Sequence, residues 1–250
     1  IDGQPDPYMG NRRLQQFRTP ALAADMRNFS VGFGSCARYA QDNEQLIWKA
    51  IQRHRPDWFF WTGDNIYNDS TDLGTMADEY MRQRAVVNYQ DVASSIPQLA
   101  IWDDHDFGFN NTDRRNPIKK DALRIFKNVW ANPDYGLPDA DGVFFEYNYG
   151  GVDFFFLDGR YYRDPNKEPD HPQKTMLGQR QKDWLKERLA RSTAPFKILV
   201  SGSGWTMAKG SGGDSWASFI HERNELFEFI RTEGIGGVVL VSGDTHVAEL

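Results

Sequence analysis

Cysteine is almost missing from this chain. Cys36 is the single thiol in 250 residues, so no disulfide can form within it, and cysteine usage fits a reducing or an oxidising setting equally. Long apolar runs are lacking too, and no stretch is long enough to cross a membrane as a helix. There is no basic excess: 29 lysines and arginines face 35 acidic residues, a net charge of −6. That balance excludes the basic stripe by which general nucleic-acid binders hold a phosphate backbone, so no stable nucleic-acid partner is expected. Small phosphate substrates stay open, because a bound cation supplies positive charge locally. No repeat and no interdomain linker interrupts the chain, whose length suits one large α/β domain. The first residue is Ile1, with no methionine, charged n-region or apolar h-region ahead of the polar, proline-bearing residues 1–28, which read as an irregular arm.

What is present centres on Phe59-Phe60-Trp61-Thr62-Gly63-Asp64-Asn65-Ile66-Tyr67-Asn68-Asp69. A short apolar run stops at Gly-Asp, as a buried parallel strand does when it delivers a carboxylate to the carboxyl edge of a sheet. Upstream, Phe29 to Cys36 reads as a strand ending in a tight turn. Asp42 reads as the N-cap of a helix with Leu46, Ile47, Ala50 and Ile51 on its apolar face, stopped by Pro56. This strand–helix–strand unit is a crossover between parallel strands, so Cys36 and Asp64 emerge at one edge.

Downstream, the pattern predicts a helix over Met76 to Tyr89, a strand over Gln98 to Ile101 and a helix over Ile118 to Trp130. A hairpin turns at Gly150-Gly151. Helices over Gln179 to Arg191 and Phe219 to Thr232 alternate with strands over Phe196 to Val200 and Val238 to Val241. Strand ends then present Cys36, Asp64 with Tyr67, Asp104 with His105, Arg160, and Asp244 with His246.

Carboxylates gathered at one edge repel unless cations lie between them. Thiolate, phenolate, imidazole and carboxylate suit a transition metal, and an oxygen-only subset suits a hard cation such as calcium. Two metals can activate a water and stabilise both oxygens of an in-line displacement at phosphorus. Arg160 supplies a fork for phosphate oxygens, and His105 can protonate a leaving oxygen or hold the phosphoryl group. Arg163 reads as a surface ion-pair residue, and His54, His171 and His221 as surface or loop histidines.

Five stretches in order carry a resemblance: Phe33-Gly34-Ser35-Cys36, Gly63-Asp64-Asn65-Ile66-Tyr67, Trp102-Asp103-Asp104-His105-Asp106, Asp158-Gly159-Arg160-Tyr161-Tyr162-Arg163 and Ser242-Gly243-Asp244-Thr245-His246. Spaced this way they resemble the calcineurin-like metallophosphoesterase superfamily, and within it the alkaline phosphatase D (PhoD-like) branch. The common pattern opens with Asp-x-His, where this chain has Ser35-Cys36. It has Asn at the position of Asp104 and His at that of Asp244, departures that mark the branch. Its lone metal histidine before the last motif has no match at Ser201-Gly202-Ser203.

The resemblance implies a four-layer α/β/β/α sandwich of two mixed sheets over residues 29–250. It also implies a secreted or periplasmic phosphoric ester hydrolase in which a metal-bound hydroxide attacks a phosphate mono- or diester. It further implies Fe3+ with Ca2+ in place of a Zn2+ or Mn2+ pair. The iron would be held by Cys36, Asp64, Tyr67 and His246, with Asp64 bridging to calcium that Asp104 and Asp244 also bind.

Two other readings use the same residues. One is a thiol hydrolase with Cys36 as nucleophile and His105 as base; the other is a non-catalytic, metal-stabilised binding domain. A final expectation concerns the last strand, Val238 to Val241. It reads as buried although few residues follow His246, so further strands are expected to complete the second sheet.

Overall fold

The computed structural model describes residues 28–246. The arm over 1–28 and the expected continuation beyond His246 therefore lie, but for Asn28, outside the described residues. Three strands, β1 (Val31–Gly34), β2 (Trp58–Thr62) and β3 (Gln98–Ile101), form a parallel sheet in that order, with Gly34 opposite Trp61 and Trp61 opposite Ala100. A second sheet runs β4 (Phe145–Tyr149), β5 (Val152–Phe156), β6 (Phe196–Ser201), β7 (Val238–Ser242). In it the hairpin pair β4–β5 is antiparallel and the other two pairs are parallel.

The alternation within β2 and β5 explains the layering. Phe60 points between the sheets, its ring 5.0 Å from both Phe154 and Phe156 of β5. Phe59 and Trp61, one residue either side, face outward. There Trp48 of α1 (Ile47–His54), Tyr89 of α3 (Val87–Ala93) and Trp130 after α5 (Lys119–Val129) close over them at ring distances of 5.4, 5.6 and 5.7 Å. α2 (Leu73–Ala85) lies on the same side, burying Met76 and Tyr80. On the far side Phe155 of β5 and Leu199 of β6 pack with Trp184, Leu185 and Leu189 of α6 (Gln179–Arg191) and Leu226 of α7 (Ile220–Thr232). Both sheets are thus apolar on two faces, and the result is the four-layer α/β/β/α sandwich.

Three sequence expectations are corrected here. Asp42 does not cap α1: its carboxylate accepts from the backbone N–H groups of Glu44 and Gln45, and Gln45 then turns left-handed (φ 46°), so the helix starts at Ile47. The single helix expected over Met76 to Tyr89 is two, α2 starting earlier under an Asp72 cap and breaking at Val86, whose ψ of 116° leaves the helical region. A four-residue helix, α4 (Asp104–Phe107), follows β3, fixed by reciprocal bonds between Asp103 and Asp106. At the sheet edges, β1 bonds only to β2 and β7 only to β6 among the described residues, leaving Phe33, Val239 and Leu240 exposed.

Candidate active site

The carboxyl ends of both sheets meet at one place because glycine lets them. A Cβ on Gly243, after β7, would lie 2.4 Å from the Thr62 carbonyl oxygen at the end of β2. One on Gly202, after β6, would lie 2.8 Å from the Asp103 carboxyl carbon. The chain then turns left-handed at the residues that carry chemistry: Cys36 (φ 61°), Asp64 (50°), Asp244 (68°) and His246 (57°). Non-glycine residues avoid that region, and such strain gathers at functional sites.

Two groups of potential ligands share Asp64. In one, donor atoms of Cys36, Asp64 and His246 lie within 4.8 Å of one another; in the other, those of Asp64, Asp104 and His105 do. Tyr67 joins the first group through its hydroxyl, 3.1 Å from His246 Nε2. The Cys36 thiol lies 3.7 Å from Asp64 Oδ2. Asp244 does not fall in either group. It gathers instead with Asp103 and Asp214.

Electrostatics separates these groups. Burial, then the neighbouring Asp104 and Asp103, pushes the Asp64 carboxyl far above the usual carboxylate range. Burial and then Asp64 push the Cys36 thiol up to about 12, and the same two causes raise the Tyr67 phenol. No cation contacts Asp64 among the described residues. The third group is already neutralised. Arg160 Nε pairs with Asp103, Arg160 and Arg163 pair with Asp214 at 2.6 and 2.7 Å, and Lys209 Nζ pairs with Asp244. Burial alone would raise the Asp214 carboxyl, but the two guanidiniums outweigh it and hold it well below the usual range.

Arg160 does not offer the expected fork to phosphate. It is 0 % exposed. Its donors go to Asp103, Asp104 (3.3 Å), Asp214, Ser203 Oγ (3.3 Å) and the Thr112 carbonyl (3.3 Å). Arg163, expected at the surface, is equally buried, on Asp214, Ser203 and Asn166. Ser203, at the position with no histidine match, thus serves the arginines. The physical reason is Asp214, which comes from the Gly/Ser segment after β6 and had no visible motif.

His105 is placed by two contacts. Its Nδ1 lies 2.6 Å from Asp69 Oδ1, and its ring packs on Tyr67 at 4.1 Å between centroids. A carboxylate only accepts, so Nδ1 carries the hydrogen. Asp69 closes the stretch on which the sequence centres but carries no assigned role there; an Asp in a polar loop has no periodicity to betray one. Asp106, by contrast, is structural: it accepts from the backbone of Asn65 and Asp103 and from the Tyr80 hydroxyl, and burial leaves it at about 6. His171 is half-buried on Glu168, His221 is exposed on Asp170, and His54 is exposed at the end of α1. A cleft of about 500 Å³ opens on the Cys36 side of the centre, lined by Cys36 and Arg38, by Leu46 just before α1 and by Ile47 and Ile51 within it.

Comparison with known proteins gives one consistent answer. Alkaline phosphatase D of Bacillus subtilis (strain 168) is 24 % identical over 279 residues, covering 92 % of this chain and 48 % of the relative. The chain thus spans about half the length of the curated relative it matches. Among solved structures, the structure of PhoD superposes with a TM-score of 0.78 at 22 % identity, over 91 % of this chain and 53 % of that one. A purple acid phosphatase from yellow lupin (Lupinus luteus) seeds superposes at 0.58 and 14 %, over 87 % and 37 %. Both likenesses are of fold. No helix among the described residues is long and apolar enough to cross a membrane. With residues 75–249 of 250 matching the PhoD-like phosphatase model, this chain belongs to the PhoD-like phosphatase family.

Proposed function

We propose that the protein is a metal-dependent phosphoesterase acting on small phosphate mono- or diesters, with Asp64 as the bridge of a two-cation centre. The observation that carries this is Asp64 itself: a buried carboxylate common to two converging ligand groups, with its proton affinity raised by burial and then by its acidic neighbours, which together outweigh the attraction of Arg160. Such a group is costly to ionise unless metal ions sit against it. The donors fit. Sulfur, imidazole and phenol on the Cys36–His246–Tyr67 side suit Fe3+, and the Asp104 side suits Ca2+; Asp244, the other calcium ligand the resemblance implies, groups instead with Asp103 and Asp214.

When bound, such a pair supplies Lewis acidity and a lowered water pKa. The chain's own residues do the rest. Asp69 accepts from His105 Nδ1–H and fixes the ring plane, which leaves Nε2 as the nitrogen that exchanges a proton with the departing oxygen; it gives that proton as the imidazolium, Nδ1–H staying on Asp69. Arg160 and Arg163 act at one remove, holding Asp103, Asp104 and Asp214 in place. The apolar wall of the cleft at Leu46, Ile47 and Ile51 takes the organic part of the ester. The secreted or periplasmic location implied by the resemblance is part of this reading.

A Cys36 nucleophile with His105 as base is disfavoured. The thiol is held up at about 12, bonds to Ser35 Oγ and Asp64, and groups with His246, not with His105. The test is p-nitrophenyl phosphate beside its bis-ester, with and without chelator, followed by Fe3+ and Ca2+ add-back. Turnover that chelation abolishes and metal restores is expected. Full activity in chelator overturns the metal mechanism, and bound metal with no turnover of either ester makes this a binding domain.

A further inference from the structure

Arg160, expected to meet the substrate, is spent on carboxylates, as is Arg163 beside it, so a cationic side chain for a phosphate ester entering this centre has to be sought elsewhere. One candidate reaches the acids from outside. Lys209 is one-third exposed (33 %) and its ammonium pairs with Asp244, which is itself largely covered (12 %). It sits in the segment 206–213, whose base is closed by Trp205 stacked on Trp216 at 4.7 Å and by the Trp216 N–H bonded to the Gly204 carbonyl at 3.0 Å. The tip turns through Gly210 and Gly212, both left-handed (φ 69° and 82°) with open space around them. Its anchor is therefore rigid while its tip can re-aim.

We propose that Lys209 is the substrate-contacting cation of this centre, donating to a non-bridging phosphate oxygen; the proposal rests on the phosphoesterase reading above. Lys209 and a metal ion compete for the same Asp244 oxygens. A cation held there repels the ammonium, which the Trp205–Trp216 anchor keeps beside the centre. A phosphate group then offers the acceptor that Asp244 no longer does. Arg38 is the rival, an exposed cation 5.2 Å above the Tyr67 ring. It touches the ring face and, among the described residues, pairs with no carboxylate, so metal binding at Asp244 gives it no reason to move.

The test uses Lys209→Met, Lys209→Arg and Arg38→Met in the full chain. Calorimetry with Ca2+ and then with inorganic phosphate is run beside p-nitrophenyl phosphate kinetics. Lys209→Met is expected to weaken phosphate binding and raise KM about tenfold or more, the scale of one charge-assisted hydrogen bond. Ca2+ should bind as tightly as before or tighter, because its competitor is gone, and Lys209→Arg should recover part of the phosphate affinity. Unchanged phosphate affinity in Lys209→Met, a loss of Ca2+ binding, or a defect confined to Arg38→Met overturns the proposal. A parent protein that binds metal yet neither binds phosphate nor turns over any ester removes the phosphoesterase reading and this proposal together. A parent that does both while Lys209→Met matches it removes the lysine alone.

Discussion

Replacing Asp64 by Asn should make the metal-free protein more stable while abolishing metal binding and activity. The substitution keeps the shape and the Oδ1 acceptor for the His105 N–H (3.4 Å). Asn also tolerates the left-handed backbone, φ 50°, as well as Asp does. What changes is charge. Burial beside Asp104 and Asp103 raises the folded-state pKa of Asp64 far above the unfolded value near 3.8. For a carboxyl raised on folding, the folded state binds the extra proton, so the penalty is absent below the unfolded pKa and grows as pH rises toward the folded one. Taking only two units of the shift as effective at pH 8 gives about 3 kcal/mol, or roughly 6–12 °C in Tm for a domain of this size. Thermal unfolding in chelator should therefore show Asp64→Asn level with the parent near pH 4 and ahead of it at pH 8. Adding Ca2+ or Fe3+ should lift the parent and leave the variant where it was. A variant less stable than the parent at pH 8 in chelator, or an advantage that ignores pH, would refute the reasoning.

Asp69→Asn should lower kcat about 10- to 100-fold with metal content unchanged, because it disturbs the proton donor and no ligand; an unaltered kcat removes Asp69 from the mechanism. Asp214→Asn should cost about 3–5 kcal/mol by leaving the buried Arg163 guanidinium without a carboxylate and taking one of three from Arg160, read as a shift in the urea midpoint. Its carboxyl is depressed in the fold, so its contribution is complete above the unfolded pKa near 3.8 and is lost as pH falls through the folded value. The variant should lack that acid-side loss, and a cost under about 1 kcal/mol contradicts the pairing. If Cys36 and Tyr67 both bind ferric iron, the protein is coloured by ligand-to-metal charge transfer and contains iron, and Tyr67→Phe shifts the band; a colourless, fully active zinc protein removes the iron assignment alone.

How much of this was legible beforehand depended on how local the cause was. The run Trp58 to Thr62 and the helix Gln179–Arg191 stand where pattern places them, because burial on both faces and a helical period are written in consecutive residues. Cys36 and Asp64 emerge together because a crossover fixes parallel strands, and the Ala37 N–H to Asp64 carbonyl bond (3.0 Å) continues that pairing past the strand ends. The break at Val86 and the four-residue α4 were not legible, since neither is long enough to leave a period. The arginines were misplaced for a longer-range reason. Their partner Asp214 lies 54 residues from Arg160 and 51 from Arg163, and only the folded chain shows that their charge is used inside.

That internal use explains a feature of the whole centre. Its carboxylates divide into a set neutralised by the protein's own cations and a set that is not. Asp103 and Asp214 face buried arginines that cannot leave, and Asp244 faces a lysine that can. Asp64 makes no ion pair among the described residues and feels Arg160 less than burial and its acidic neighbours, and its backbone is turned left-handed just past the end of β2. A fold selected for stability alone would fill that position with Asn, which removes the repulsion, or Gly, which removes both the repulsion and the strain. Keeping an aspartate there is sensible only if something outside the polypeptide completes its charge. The buried arginines make that vacancy specific: they satisfy the neighbouring acids first, so an incoming cation is drawn to Asp64 and not spread over the cluster.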